Sequence, residues 1–139
     1  MWLSYAVLSA VFAAAVAILA KLGLKNVDST LATTIRSFIM AVFLIGVSFV
    51  FKKFEGFSLN DLSSRDWTLI ILSGIAGALS WIFYFAALKY GFASRVAAID
   101  RTSLVFVVIF SALFLGESFG PKAVFGVILM VVGAILVTG

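Results

Sequence analysis

The chain has no cysteine and no histidine, one proline and only six acidic residues in 139. Without cysteine there are no disulfides and no thiolate chemistry; without histidine there are no imidazole metal ligands and no imidazole acid-base catalysis. These two absences remove most hydrolytic and redox mechanisms, and no metal site is expected. No glycine-rich phosphate loop, catalytically spaced carboxylate pair or nucleophile-base set occurs either. The sequence therefore argues against an enzyme and calls for no cofactor.

What is abundant is apolar. At 64% hydrophobic and 12% charged, with a mean hydropathy of +1.25, the chain has too few polar residues to cover a globule, so its solvent must largely be lipid. The net charge of +4 is spread over short connections, not gathered in a basic patch, which speaks against nucleic acid as a partner. The first apolar run, WLSYAVLSAVFAAAVAILA, has no lysine or arginine before it and reads as a permanent helix, not a cleaved leader.

A bilayer core of about 30 Å needs about 20 helical residues. Cutting the chain at its charged, Gly and Pro punctuation predicts five such helices, at about 2–22, 29–52, 66–90, 94–116 and 120–138. The expected fold is an all-α membrane protein, a bundle of five transmembrane helices. Local signals support the cuts. Asp28 or Ser29 is placed to cap the second helix, and Ser63 with Asp66 has capping-box spacing before the third. Gly91 is expected to end the third in the left-handed conformation, Ser94 to cap the fourth, and Pro121 to occupy the first turn of the fifth. The one long connection, FEGFSLNDLSSRDW, is expected at the membrane interface as a short helix or an ordered loop.

Five spans put the two ends on opposite sides. One side then holds Lys52, Lys53, Arg65 and Lys122, the other Lys21, Lys25, Lys89 and Arg95, with Arg36 and Arg101 entering from that second side. So even a balance gives the positive-inside rule little to act on, and insertion in both orientations is the expectation.

The charges inside the spans are the candidates for function. Arg36 shares a helix face with Thr33 and Ser29; Asp100 shares one with Ser103, Val107 and Ser111, while Arg101 is turned about 100° away. Arg36 and Asp100 both lie about 10 Å inside the same membrane face, at matching depth for a pair. Charges at such depth face protein or a water-filled cavity. Two readings remain open: an ion pair that fixes helix packing, or a polar wall that binds solute. In SGIAGALSWIFYFAALKYG, the small residues around Gly74 and Gly77 read as a helix-packing surface, as do Gly126 and Gly133 in the fifth helix. Trp81 and Tyr84, one turn beyond, are candidates for the solute wall.

Three stretches together, AILAKLGLKNVDSTLATTIR, SWIFYFAALKYGFASRVAAIDRTSLVFVVIFSALFLGE and GVILMVVGAILVTG, resemble a single EamA-like domain of the drug/metabolite transporter superfamily over essentially the whole chain. The resemblance is most specific at ALKYG, at LGE and at the Gly126 and Gly133 helix. It implies half of a ten-helix transporter fold in the cytoplasmic (inner) membrane, moving a small metabolite or amphiphile. Family members commonly carry two such domains in inverted orientation, whereas this sequence carries one, with a charged IDR where many relatives are uncharged. One repeat cannot alternate access alone. The expectation is therefore a dimer, with balanced loop charges permitting an antiparallel homodimer in the lipid bilayer. A transporter of a small-molecule solute is the leading reading, with Arg36, Asp100, Arg101, Trp81, Tyr84, Thr33 and Ser103 as binding or gating candidates. The alternative is a non-transporting scaffold or partner subunit whose intramembrane ion pair is structural.

Overall fold

The computed structural model describes residues 2–58 and 61–139. Residues 59 and 60, inside the long connection, lie outside the described residues. Helices are the expected answer to lipid, because a helix satisfies its own backbone donors and acceptors where no water can. Among the described residues they run as α1 (Trp2–Gly23), α2 (Ser29–Val50), α3 (Ser64–Tyr90), α4 (Ala93–Asp100), α5 (Ser103–Phe110) and α6 (Pro121–Thr138), with a π-helical turn at Ser111–Leu115. Among the described residues five spans are long and apolar enough to cross a bilayer, and the fourth comprises Ala93–Leu115. The chain is a multi-pass, all-helical membrane protein.

It divides into two compact units. One contains residues 1–21 and 90–139, the other residues 22–89.

In the second unit the connection from α1 into α2 is fixed by local hydrogen bonds. The carboxylate of Asp28 accepts from the amides of Thr30 (2.9 Å) and Leu31 (3.1 Å), occupying two donors that a helix start leaves orphaned. The Leu31 amide above all, with that of Thr30 and the charge of Lys89, holds this carboxyl below the usual aspartate value. The Lys89 ammonium also donates to the Val27 carbonyl at 3.2 Å, tying the end of α3 to the start of α2. At the head of α3 the capping box is complete: the Ser63 amide donates to Asp66 Oδ2 (3.0 Å) and the Asp66 amide donates to Ser63 Oγ (3.2 Å). Phe85 and Leu88 on α3 and Thr33 on α2 are buried.

α2 stops two residues before its expected end at 52. Lys52 turns left-handed (φ 55°), the Lys53 amide reaches back to the Ser48 carbonyl (2.9 Å), and the Phe54 ring closes on Phe49 at 5.0 Å. This is the six-to-one closure of a helix end with its hydrophobic contact, performed without glycine. The described part of the following connection is a series of turns, with Asp61 Oδ2 accepting from the Ser58 amide.

In the first unit α4 packs on α6, where Ala134 is buried; Ala17 of α1 is buried too. Lys21 donates to the Gly91 carbonyl at 2.7 Å, which joins the end of α1 to the turn before α4. Two expectations are corrected here. Gly91 is not left-handed: the only glycines with positive φ among the described residues are Gly56 and Gly116. Ser94 does not cap α4, which starts at Ala93 behind Phe92 with no side-chain cap. Pro121, by contrast, does open α6.

The fourth span differs most from the continuous helix expected at 94–116. It breaks at Arg101 and Thr102, where i to i−3 bonds replace the α-helical pattern: Thr102 to Ile99, Leu104 to Arg101 and Val105 to Thr102, at 2.9, 3.2 and 2.9 Å. The Thr102 hydroxyl donates to the Ile99 carbonyl as well (2.7 Å), the kind of back-bonding that bends helices. At the other end the amides of Gly116 and Glu117 both converge on the Ser111 carbonyl, with Gly116 left-handed at φ 67°. A residue with a Cβ is disfavoured there, which gives the LGE stretch a backbone reason for its glycine.

Candidate functional site

Arg36 stands on α2 and Trp81 on α3, both in the second unit. The Arg36 guanidinium carbon lies over the Trp81 ring, 3.8 Å from its centroid, and 5.5 Å from that of Phe85. Cation–π contacts of this type contribute about 0.5–2 kcal/mol, more as the site is drier. The platform is itself fixed by edge contacts: Trp81 meets Tyr84 at 5.6 Å and 88°, and Phe85 at 5.8 Å and 71°. The three ring positions follow from helix spacing, since 84 and 85 lie three and four residues beyond 81 and share its face.

Arg36 is half-buried, and its Nη1 is closed off from solvent with no hydrogen-bond partner. A guanidinium has five N–H donors and no acceptor, so a ring face satisfies its charge but not its in-plane donors. Leaving a buried donor unmade costs about 1–3 kcal/mol, and more for a charged group. Thr33, one turn before Arg36, is 4% exposed and turns its hydroxyl back to the Ser29 carbonyl at 2.8 Å. Ser37 does the same to Thr33, also at 2.8 Å. Both hydroxyls spend their protons on α2 itself.

The remaining candidates belong to the first unit. Asp100 closes α4, Arg101 lies in the break and Ser103 opens α5; all three are exposed on the chain surface within the fourth span. Charges exposed at that depth require water, lipid headgroups or another protein surface to cover them. Of the glycines expected to serve helix packing, Gly74, Gly77, Gly126 and Gly133 would each admit a Cβ that, apart from its chain neighbours and the backbone of its own helical turns, meets no described atom within 4 Å.

A shallow apolar groove of about 370 Å³ lies on the second half of α2, lined by Phe43, Gly46, Val47, Val50 and Phe51. It offers no polar side chain and holds none of the candidate residues. No group of three or more metal-ligating side chains occurs among the described residues.

Phe85 is the site residue that sequence reading left out of the candidates, although its place four residues after Trp81 is the signal that could have added it. The break in the fourth span had a signal too, in the polar run DRTS with its back-bonding threonine.

The sequence pattern of the EamA-like transporter family matches residues 1–139. The chain is 38% identical over 135 residues, 97% of its length and 94% of the relative's, to a Sinorhizobium sp protein named "Uncharacterized transporter in cobO 3'region". It is 36% identical over 77 residues to the pseudopaline exporter CntI of Pseudomonas aeruginosa strains UCBPP-PA14 and PAO1, a match that covers 55% of this chain and 27% of the exporter. No solved structure matches.

Proposed function

We propose, from the premise that this chain belongs to the EamA-like transporter family, that it is one repeat of a secondary carrier in the cytoplasmic membrane. It works as an antiparallel homodimer, moves a small metabolite or amphiphile by alternating access, and performs no covalent chemistry. The observation that carries this reading is the fourth span, interrupted at Asp100, Arg101 and Thr102 inside a bilayer-crossing segment. The turn is tightened rather than opened, its amides bonding three residues back, and it sets Asp100 and Arg101 at membrane depth, as the discontinuous helices of carriers do where solute and coupling ions bind. A dimer supports the rest. It supplies the second repeat, it covers charges that would otherwise meet lipid, and it gives Gly74, Gly77, Gly126 and Gly133 an opposing surface. One relative, matched over 94% of its length, is barely longer than this chain, and another is named an exporter.

In this mechanism the two repeats rock about an axis in the membrane plane, and Asp100 is the acid whose counter-charge changes as the cavity opens to either side. Orientation tests the dimer. A single cysteine placed near each end, in a background free of cysteine, is expected to react with an impermeant thiol reagent from both sides of native membranes. Labelling of each end from one side alone would show that the inverted partner is another chain.

Asp100→Asn tests the cycle itself. It is expected to lower counterflow in proteoliposomes at least tenfold while the dimer persists on size-exclusion chromatography. Unchanged counterflow removes Asp100 from the mechanism; absence of counterflow in the wild-type protein leaves a scaffold subunit.

A further inference from the structure

We infer that Arg36, Trp81 and Phe85 form a subsite for the anionic head of an amphiphilic solute, a carboxylate joined to an apolar body; this rests on the carrier reading and names its solute class. The argument is one of acceptors. Arg36 is the one cation described here whose face is stacked on an aromatic platform across two helices, and its Nη1 donor is buried and unmet. Four acids belong to the same unit: Asp28, Glu55, Asp61 and Asp66. Each has a local task elsewhere. Asp28 caps α2, Glu55 pairs with Lys52 at 3.3 Å, Asp61 accepts from Ser58, and Asp66 closes the capping box with Ser63. The hydroxyls of Thr33 and Ser37 donate to their own helix. So the unit builds a platform under a planar, permanently charged fork and supplies no carboxylate to it.

The platform also dictates the shape of what fits. With its carbon 3.8 Å from the Trp81 ring centre, the guanidinium keeps a planar N–H fork for a carboxylate, which presents two coplanar acceptor oxygens. An apolar body attached to that carboxylate finds the Tyr84 and Phe85 rings beside the same platform. A cationic solute is repelled by Arg36, and a neutral one leaves the buried donor unmet. Phospholipid headgroups offer anionic oxygens as well, so the source of the anion is part of the test.

The test uses the full chain in maltoside detergent with Trp2→Phe and Trp67→Phe, which leaves Trp81 as the sole tryptophan reporter. The probes are 3-phenylpropionate and its cationic counterpart 3-phenylpropylamine. A saturable change in Trp81 emission is expected with the carboxylate alone, with an apparent Kd raised at least tenfold by Arg36→Gln and less by Arg36→Lys, both variants keeping wild-type helix content by circular dichroism. An equal response to the amine, no response to the carboxylate, or an unchanged Kd in Arg36→Gln overturns the subsite. Mixed micelles of phosphatidylglycerol against phosphatidylcholine form the other arm. An Arg36-dependent change produced by phosphatidylglycerol and undisplaced by 3-phenylpropionate assigns the anion to lipid and overturns a solute site. Counterflow separates the two proposals. Carboxylate binding without any counterflow refutes the carrier and keeps the subsite, whereas counterflow of the amine alone keeps the carrier and refutes the subsite.

Discussion

Trp81→Ala is expected to reduce solute uptake at least tenfold and to destabilise the protein by about 2 kcal/mol. Both effects come from one ring. The indole holds the Arg36 guanidinium at 3.8 Å from its centroid and is in turn met edge-on by Tyr84 and Phe85. Alanine removes the cation's platform, and the lost contacts are dispersion and quadrupole terms that lipid chains cannot replace with the same geometry. Truncation also gives Arg36 freedom to snorkel toward the interface, which withdraws it from any solute. Trp81→Phe keeps a ring of smaller face and should retain an intermediate activity. Uptake into proteoliposomes and unfolding followed by circular dichroism in rising SDS measure the two effects. If Trp81→Ala transports as the wild type does, the aromatic platform is not part of the solute path.

The second large effect is Leu88→Ala, and its size depends on which part of the hydrophobic effect survives in a membrane. Leu88 is fully buried, at 0% exposure, one residue before the lysine that bonds the Val27 carbonyl. In a water-soluble protein the change would combine a transfer term with a cavity term. Here the outside of the protein is as apolar as leucine, so the transfer term nearly vanishes and packing alone decides. The expected loss is about 1–3 kcal/mol, from the cavity. The control is Leu72→Ala, on the same helix at 57% exposure, where no cavity forms and a change within about 0.5 kcal/mol is expected. Equal losses at the two positions in SDS unfolding would show that α3 is not packed at Leu88 as described.

How much of this could be read beforehand follows from how local each cause is. Asp28, the Ser63–Asp66 box and Pro121 act through neighbours three residues away, and the sequence displays those neighbours. The spans are equally legible because length and apolarity are summed properties. Ends governed by alternatives were misread. α2 stops on a left-handed lysine, where no glycine signals the end, and the left-handed glycine near the fourth span is Gly116 and not Gly91. The break at Thr102 was hidden because IDRTS sits in a run whose average is strongly apolar, and averaging conceals one misplaced turn. Arg36 and Trp81 were each singled out for a different reason, a charge in lipid and an aromatic near a small-residue face. That one lies over the other is a contact across 45 positions, set by how α2 packs on α3 and by no motif within either.

The broken fourth span also bears on how the chain is made. α4 and α5 have eight residues each, about 12 Å of helix apiece, and neither crosses a 30 Å core by itself. α4 carries Arg95 and Asp100 within its eight residues and finds its packing surface on α6, which leaves the ribosome later. During synthesis the segment ASRVAAID therefore emerges before the helix that holds it. Its apolar continuation, SLVFVVIF, can settle among lipids at once, while the charged half waits near the membrane surface or inside the translocon. A nascent chain halted before Pro121 would lack the α6 surface on which α4 packs, and that packing would be completed only as the final span arrives.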